Sequence, residues 1–387
     1  MKNVLFASTA FAALAIGGAA SAQGITLFGD ARLGLGYNIN NDGSVNGDED
    51  LRAVSRVRFG VNMAGETDSG ISFGATIRAD NAVGGQGGSL GQTAGNVFVS
   101  GSWGTLTFGD TAGADENWVG DTPGNLSLTG LGDLNETFFI SNGGSFGTNV
   151  SNNFASNPDA RPTIRYDFDI AGFGLSLSSN KKLTDIGVGA GYAGDFANGT
   201  WNVGVGYYNY KSFTTVDDTG TIDACYDPAD GDFTDLRVDG GCRAADAAVV
   251  IPAAAVSRTI PKGEQWSASG GMTYGDFGLG LVWTQADSKS NSSVEGAKFS
   301  TVGLGGTWGW DAFTVGAYYV NVYSADGALE SFDGEDTYGL TAAYDLGGGA
   351  QVAGGIATTF GRGSDINPNR GDRSGDTVAD FGIKMSF

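Results

Sequence analysis

The sequence predicts an all-β protein, a sixteen-stranded antiparallel transmembrane β-barrel. Three observations carry that expectation. Segment after segment alternates apolar and polar residues with period two, and the polar face carries the charge. Seven short Gly/Asp/Asn turns alternate with eight mostly longer, polar connections. After the N-terminal region, no stretch reaches the roughly 18 consecutive apolar residues of a membrane helix. A barrel needs only every second residue to face lipid, so middling hydropathy is compatible with membrane insertion.

Residues 1–22 read as a secretory signal. Met1-Lys2 gives a positive start, Val4 to Ala20 is apolar, and Ala20-Ser21-Ala22 has the small-residue form of a cleavage site. The mature chain then begins near Gln23, and residues 23–387 form the barrel domain. With 43 acidic residues, 21 basic ones and a formal net charge of −22, the chain lacks the basic footprint that nucleic acid requires. It contains no His, which excludes a Ser-His nucleophile and leaves only carboxylates for acid–base chemistry.

The strands are legible in order. Between Ile25 and Leu33 the odd positions are mostly apolar and the even ones polar or small. Leu51, Ala53, Val57, Phe59 and Val61 oppose Arg52, Arg56, Arg58 and Asn62. Ile71, Phe73, Ala75 and Ile77 oppose Ser72, Thr76, Arg78 and Asp80. A soluble sandwich would bury its apolar faces against each other, whereas a large barrel in lipid turns them outward and keeps a wet lumen. Short turns fall at Thr67–Gly70, Ser102–Gly104, Asp169–Gly172, Asp195–Gly199, Tyr274–Asp276, Gly309–Asp311 and Leu346–Ala350. The connections between them are Asn38–Asp50, Ala82–Gly95, residues 112–162, Asn180–Asp185, residues 212–263, Gln285–Ala297, Ser324–Glu335 and Gly361–Gly375. Short turns on the periplasmic side and long loops outside match an outer-membrane barrel. Trp103, Trp201, Tyr207, Trp266, Tyr274, Trp308, Tyr319 and Tyr344 fall near strand ends, where a membrane interface holds amphipathic rings. Phe381, Ile383, Met385 and the terminal Phe387 form the apolar face of a closing strand that can pair with Ile25–Leu35 and remove both edges.

Residues 112–162 break the pattern. From Ala112 to Ala160 there are six acids, no Lys or Arg and no sustained period. A structureless run of that length in a compact domain points to a functional loop. We expect it to fold into the lumen and narrow a pore. Asp121, Asp133 and Glu136 are the first choice for its acidic rim, with Asp115 and Glu116 next. The five basic residues between Gln23 and Ala160 are Arg32, Arg52, Arg56, Arg58 and Arg78, all on the lumen face by parity. Opposed charges across a narrow water path make a transverse field that favours polar solutes over apolar ones. Clustered carboxylates also suit a hard cation such as Ca2+, although no EF-hand spacing is present. No cofactor is required.

Cys225 and Cys242 share the polar connection 212–263. In an oxidising compartment they are expected to form a disulfide worth about 3 kcal/mol, the alternative being two inert thiols. Within the same connection, Ala247 to Val256 is an apolar run without a function assigned by sequence.

Gly29-Asp30-Ala31-Arg32, Ser55-Arg56-Val57-Arg58-Phe59, Thr67-Asp68-Ser69-Gly70, Tyr344-Asp345-Leu346-Gly347-Gly348-Gly349-Ala350 and Val378-Ala379-Asp380-Phe381-Gly382 resemble motifs of the alphaproteobacterial trimeric general-diffusion porins. The likeness is specific at both ends of the mature chain and weakens in the loops, above all at 212–263. It implies a homotrimer, an inward-folded third loop and an eyelet in which loop acids face wall arginines. It also implies that calcium can sit among the loop acids. The expected partners are small hydrophilic solutes, ions and outer-membrane lipid. The alternatives are a substrate-specific channel on the same barrel, which would show aromatic rails along the lumen, and a structural or adhesive surface protein.

Overall fold

The computed structural model describes residues 24–37, 51–80, 93–131, 139, 141, 162–211, 213–217, 221–227, 232–235, 247–252, 256–260, 262–288, 298–326, 335–361 and 377–387. The expected signal segment 1–22 lies outside them. The first strands are β1 (Gly24–Tyr37), β2 (Leu51–Glu66), β3 (Ser72–Asp80), β4 (Thr93–Gly101) and β5 (Gly104–Gly109). One helical turn, α1 (Ala114–Asn117), precedes β6 (Pro162–Ile170), β7 (Phe173–Asn180), β8 (Ile186–Phe196) and β9 (Gly199–Tyr210). Five short strands follow: β10 (Phe213–Asp217), β11 (Thr221–Asp227), β12 (Asp232–Asp235), β13 (Ala247–Pro252) and β14 (Val256–Ile260). The chain continues with β15 (Gly263–Tyr274), β16 (Phe277–Ser288), β17 (Lys298–Trp310) and β18 (Phe313–Asp326). It ends with β19 (Glu335–Gly347), β20 (Ala350–Gly361) and β21 (Thr377–Ser386).

Strands β1–β9 and β15–β21 form one closed barrel of sixteen strands, each paired antiparallel with its neighbours in sequence order. All seven short turns fall where the Gly/Asp pattern puts them. At Gly70 the backbone takes φ 80°, and its N–H donates to the Thr67 carbonyl at 2.9 Å, a geometry glycine adopts without steric cost. Closure is made by β21 against β1: Phe381 opposes Leu35, Ile383 opposes Leu33 and Met385 opposes Ala31. Phe387 and Gly29 exchange two backbone hydrogen bonds of 2.9 and 3.3 Å, which extends the seam to the last residue. With neither strand left as an edge, the sheet presents no template for pairing with another chain.

Apolar side chains of the alternating strands point away from the axis. Leu27, Leu33, Val57, Phe59, Leu177, Val205, Leu279 and Leu340 are exposed, the reverse of a soluble protein and the pattern lipid requires. Near the short turns a series of ring contacts runs from Trp103–Tyr166 through Tyr192–Trp201 and Phe277–Trp308 to Phe313–Tyr344. A second level appears at the opposite strand ends, with Tyr207–Trp266 and Tyr319–Tyr338. These are the two aromatic girdles of a membrane barrel.

The buried apolar cluster is inside the barrel. Val119, Leu131 and Phe139 of the third connection pack with lumen-facing Val282, Tyr318, Val320 and Ala357. The protein's hydrophobic core is therefore the contact between that loop and the inner wall.

Connection 212–263, read from sequence as a polar loop, carries regular structure. β10 pairs with β14, and β12, β11 and β13 make a three-stranded sheet. The unexplained run from Ala247 supplies β13, which pairs with β11. Cys225 lies in β11, opposite Thr234 and Ala248, while Cys242 lies outside the described residues, as does the expected disulfide with it.

Candidate functional site: the inward third loop and the charged wall

The third connection enters the lumen directly after β5. Arg165, on the inner face of β6, donates from Nη1 to the Ala112 carbonyl at 3.2 Å and from Nε to Asp167 at 2.9 Å. Helical turn α1 then lies on the inner faces of β7, β8, β9 and β15. The Ala114 N–H donates to Ser178 Oγ at 2.9 Å, and Ser267 Oγ donates to the Asp115 carbonyl at 2.7 Å. Trp118 Nε1 and Asn117 Nδ2 both donate to Ser176 Oγ, at 2.7 and 3.1 Å, and that hydroxyl donates to Asp167 at 2.6 Å. Hydroxyls on the polar strand face thus satisfy backbone groups that a single helical turn leaves open.

The loop fits so closely because the wall beneath it is glycine. A Cβ at Gly189 would overlap the Ala114 carbonyl oxygen, one at Gly206 the Asp115 carbonyl oxygen, and one at Gly204 the Trp118 carbonyl oxygen. Farther along, Gly303 and Gly305 make room for Thr122 and Pro123, and Gly316 for the Gly124 carbonyl. Many of the 67 glycines of the chain thereby acquire a purpose that composition alone did not reveal. They are the lumen-facing half of an alternating strand, kept bare where a second layer of backbone lies against it.

From Gly124 onward the loop crosses β19, β21 and β1. Thr341 Oγ1 accepts the Leu126 N–H at 3.1 Å and donates to the Gly124 carbonyl at 2.6 Å. Lys384 Nζ donates to the Leu126 carbonyl at 3.2 Å. Asp380 accepts from the Leu128 N–H at 3.0 Å, the Thr129 N–H at 2.6 Å and the Thr129 hydroxyl at 2.6 Å. Arg32 Nη1 donates to the carbonyls of Leu128 and Thr129 at 3.3 and 3.2 Å.

The residues singled out by sequence separate on this frame. Arg32, Arg56, Arg58 and Arg78 share the inner face of β1–β3: Arg32 opposes Arg56, Arg58 opposes Asp30, and Arg78 opposes Gly60. Arg56 pairs with Asp30 at 2.9 Å, so part of the wall's positive charge is neutralised on the wall itself. Arg52 lies in β2 opposite Gly36, and its side chain is outside the described residues. Asp121 is exposed at the loop surface and Glu116 is half-buried on α1. Asp133 and Glu136 lie outside the described residues.

Asp115 corrects its expectation as an acid of the rim. It is 0% exposed, turned by α1 toward the wall at Gly187, and Ser141 Oγ from farther along the same loop donates to it at 2.9 Å. Burial pushes its carboxyl up to about 6, partly offset by the Ser141 hydrogen bond. Asp185, in the short connection after β7, is also raised by burial, opposed by donors from the Lys211 N–H, Thr184 and Tyr208. Sequence reasoning passed over Asp380, Lys384, Asp30 and the Arg165–Asp167 pair. The available signal was parity, since each sits on the same face as the arginines. Lumen-facing Tyr208, Tyr210 and Tyr318 are buried, so they form no aromatic rail along a water path. Among the described residues no three His, Cys, Asp or Glu side chains gather as a cation site.

The described loop follows the inner wall from β6 around to β1, where Arg32 holds the Leu128 and Thr129 carbonyls. This is a barrel with an inner collar. Known proteins share the fold. The family model for Gram-negative porins matches residues 7–364. A porin of Rhodobacter capsulatus is 28% identical over 372 residues, covering 94% of this chain and all of the relative. Among solved structures, a porin refined at 1.8 Å is 22% identical, with TM-score 0.55 over 94% of this chain and all of that one. A triple mutant of the Rhodopseudomonas blastica porin is 20% identical, with TM-score 0.56 and the same coverage. The chain belongs to the Gram-negative porin family, β-barrel channels of the outer membrane that catalyse no reaction.

Proposed function

We propose that the channel passes small hydrophilic solutes and ions by diffusion and prefers cations, with its narrowest level set by the third loop, residues 112–162. The observation that carries this reading is the loop itself, tied to the inner wall from Arg165 to Asp380. Its acid Asp121 is exposed, and Asp133 and Glu136 follow in the sequence of the same loop. The basic side proposed to oppose them is Arg32, Arg52, Arg56, Arg58 and Arg78 of β1–β3, of which Arg56 is paired with Asp30. With the Arg56 charge met by Asp30 on the wall and a formal net charge of −22, the field along the path favours cations. Ca2+ among the loop acids, a disulfide between Cys225 and Cys242, removal of residues 1–22 and assembly as a homotrimer belong to the same proposal. Neutralising Asp121, Asp133 and Glu136 together (D121N, D133N, E136Q) lowers the cation preference measured as reversal potential under a salt gradient. Unchanged selectivity would remove these acids from the rim.

A further inference from the structure

The third loop is held at its far end by a residue pattern that no loop-centred reading anticipates. The backbone polar groups of Leu126, Leu128 and Thr129 meet side chains of the barrel, while the Ser127 N–H donates to Asn125 Oδ1 within the loop at 3.3 Å. The Leu126 N–H goes to Thr341 and its carbonyl to Lys384. The N–H groups of Leu128 and Thr129 go to Asp380, and both their carbonyls go to Arg32. Backbone groups removed from water need such partners, and here two adjoining strands supply three of the four side chains. Those strands are β21 and β1, the pair that closes the barrel, and Gly36 of β1 opposes Asp380 across the seam.

The fit is shaped as well as bonded. Leu128 is buried over Gly34 and Gly382, which oppose each other across that seam, and its Cδ2 lies 2.5 and 2.8 Å from where their Cβ atoms would be. Inside the loop, Asn125 Nδ2 donates to the Gly130 carbonyl at 2.5 Å and Ser127 Oγ to Asn125 at 2.6 Å, which makes 125–130 a compact turn. Its exit is strained: Leu131 holds φ 39°, a left-handed conformation that side chains persist in only when the surroundings enforce it. Asp380 is 6% exposed and its carboxylate takes three donors from two residues. Hydrogen bonds to an ionised acceptor are among the strongest available. The neighbouring charges of Lys384 and Arg32 keep that carboxylate compensated.

We infer that Asp380 is a positioning residue that fixes the calibre of the channel, by latching the 126–129 turn of the third loop to the closing seam. The inference rests on the reading of the third loop as the constriction. The aperture is then decided by the last strand, 251 residues along the chain from the loop residue it holds. A loop released from Asp380 loses the partners of two N–H groups and one hydroxyl at once, and the turn moves off the wall.

The test uses the full-length protein purified from outer membranes, with Asp380→Asn and Asp380→Ala beside a variant in which residues 114–158 are replaced by a short Gly-Ser linker. Single-channel conductance and the exclusion limit for neutral polyethylene glycols of graded size are both read. Neutral probes matter, since loss of one lumen charge shifts ion selectivity without changing the size limit. Both Asp380 variants should pass larger glycols and move conductance toward the shortened-loop channel. If the shortened loop widens the channel while the Asp380 variants keep the wild-type limit, the latch is wrong and the constriction stands. If the shortened loop itself changes neither quantity, the constriction reading fails and the latch with it. Should the Asp380 variants fail to assemble, Leu128→Ala with Thr129→Pro removes two of the three donors, the Thr129 N–H and hydroxyl, together with the Leu128 packing, from the loop side and outside the barrel pairing. A wild-type limit there overturns the proposal, and a raised one supports it.

Discussion

At the residue scale, Asp115 carries the sharpest expectation. Its carboxyl is buried beneath α1, with Ser141 and Ser178 beside it, Tyr208 of β9 facing it, and Asp185 beyond that phenol. Because its value is raised to about 6, the seated loop holds a proton that a free carboxyl releases near an ordinary value of about 3.9. Seating is therefore most favourable below that ordinary value and weakens as pH rises toward about 6. A shift of roughly two units corresponds to about 3 kcal/mol between the two limits. Hydrogen exchange of residues 112–120, corrected for the intrinsic rate, should show more protection at pH 5 than at pH 7.5. Asp115→Asn should flatten that dependence, and an equal slope in the variant would place the titrating group elsewhere. Neither this role nor that of Asp380 could be read from the sequence. The acids of residues 112–162 look alike until the path of the loop sorts buried from exposed. Asp380 was visible as a polar position of the last strand, but its loop partner lies 251 residues away.

At the element scale, the strands were legible because a period of two is a local property and lipid demands it of every strand. The turns were legible for the same reason: positive φ at Gly70 or Gly172 is recorded in the residue type. The glycine lane was not, since a lumen-facing glycine reads only as a weak strand residue. Its purpose depends on what packs opposite. A Cβ at Gly305 would overlap the Pro123 carbonyl oxygen, with its carbon at 2.8 Å and Tyr318 Cβ at 3.2 Å. Gly305→Val should thus lift the loop, at an overpacking cost of about 1–3 kcal/mol, while leaving strand pairing in place. The expected readout is raised single-channel conductance with unchanged β content by circular dichroism. Gly270→Ala, where an added Cβ meets open space, serves as the control and should match wild type. Equal conductance in the Gly305 variant would mean that the loop tolerates displacement there. The short strands β10–β14 escaped sequence reading for another reason. They sit in a connection read as polar, where strand propensity has no membrane to enforce it.

For the whole molecule, one arrangement links closure, collar and charge. The apolar strand faces go to lipid, so the polar faces must hold water or protein, and the third loop is the protein they hold. The seam that closes the barrel is also the seam that carries Arg32, Asp380 and Lys384, so the element that ends the sheet also receives the loop. The most direct test is the conductance of the purified protein in a planar bilayer, with reversal potential read under a KCl gradient. Stepwise, ohmic conductance increments and a reversal potential of the sign set by cation flow are the expected result. An absence of discrete steps would contradict the channel, and a reversal potential of the opposite sign would contradict the acidic collar.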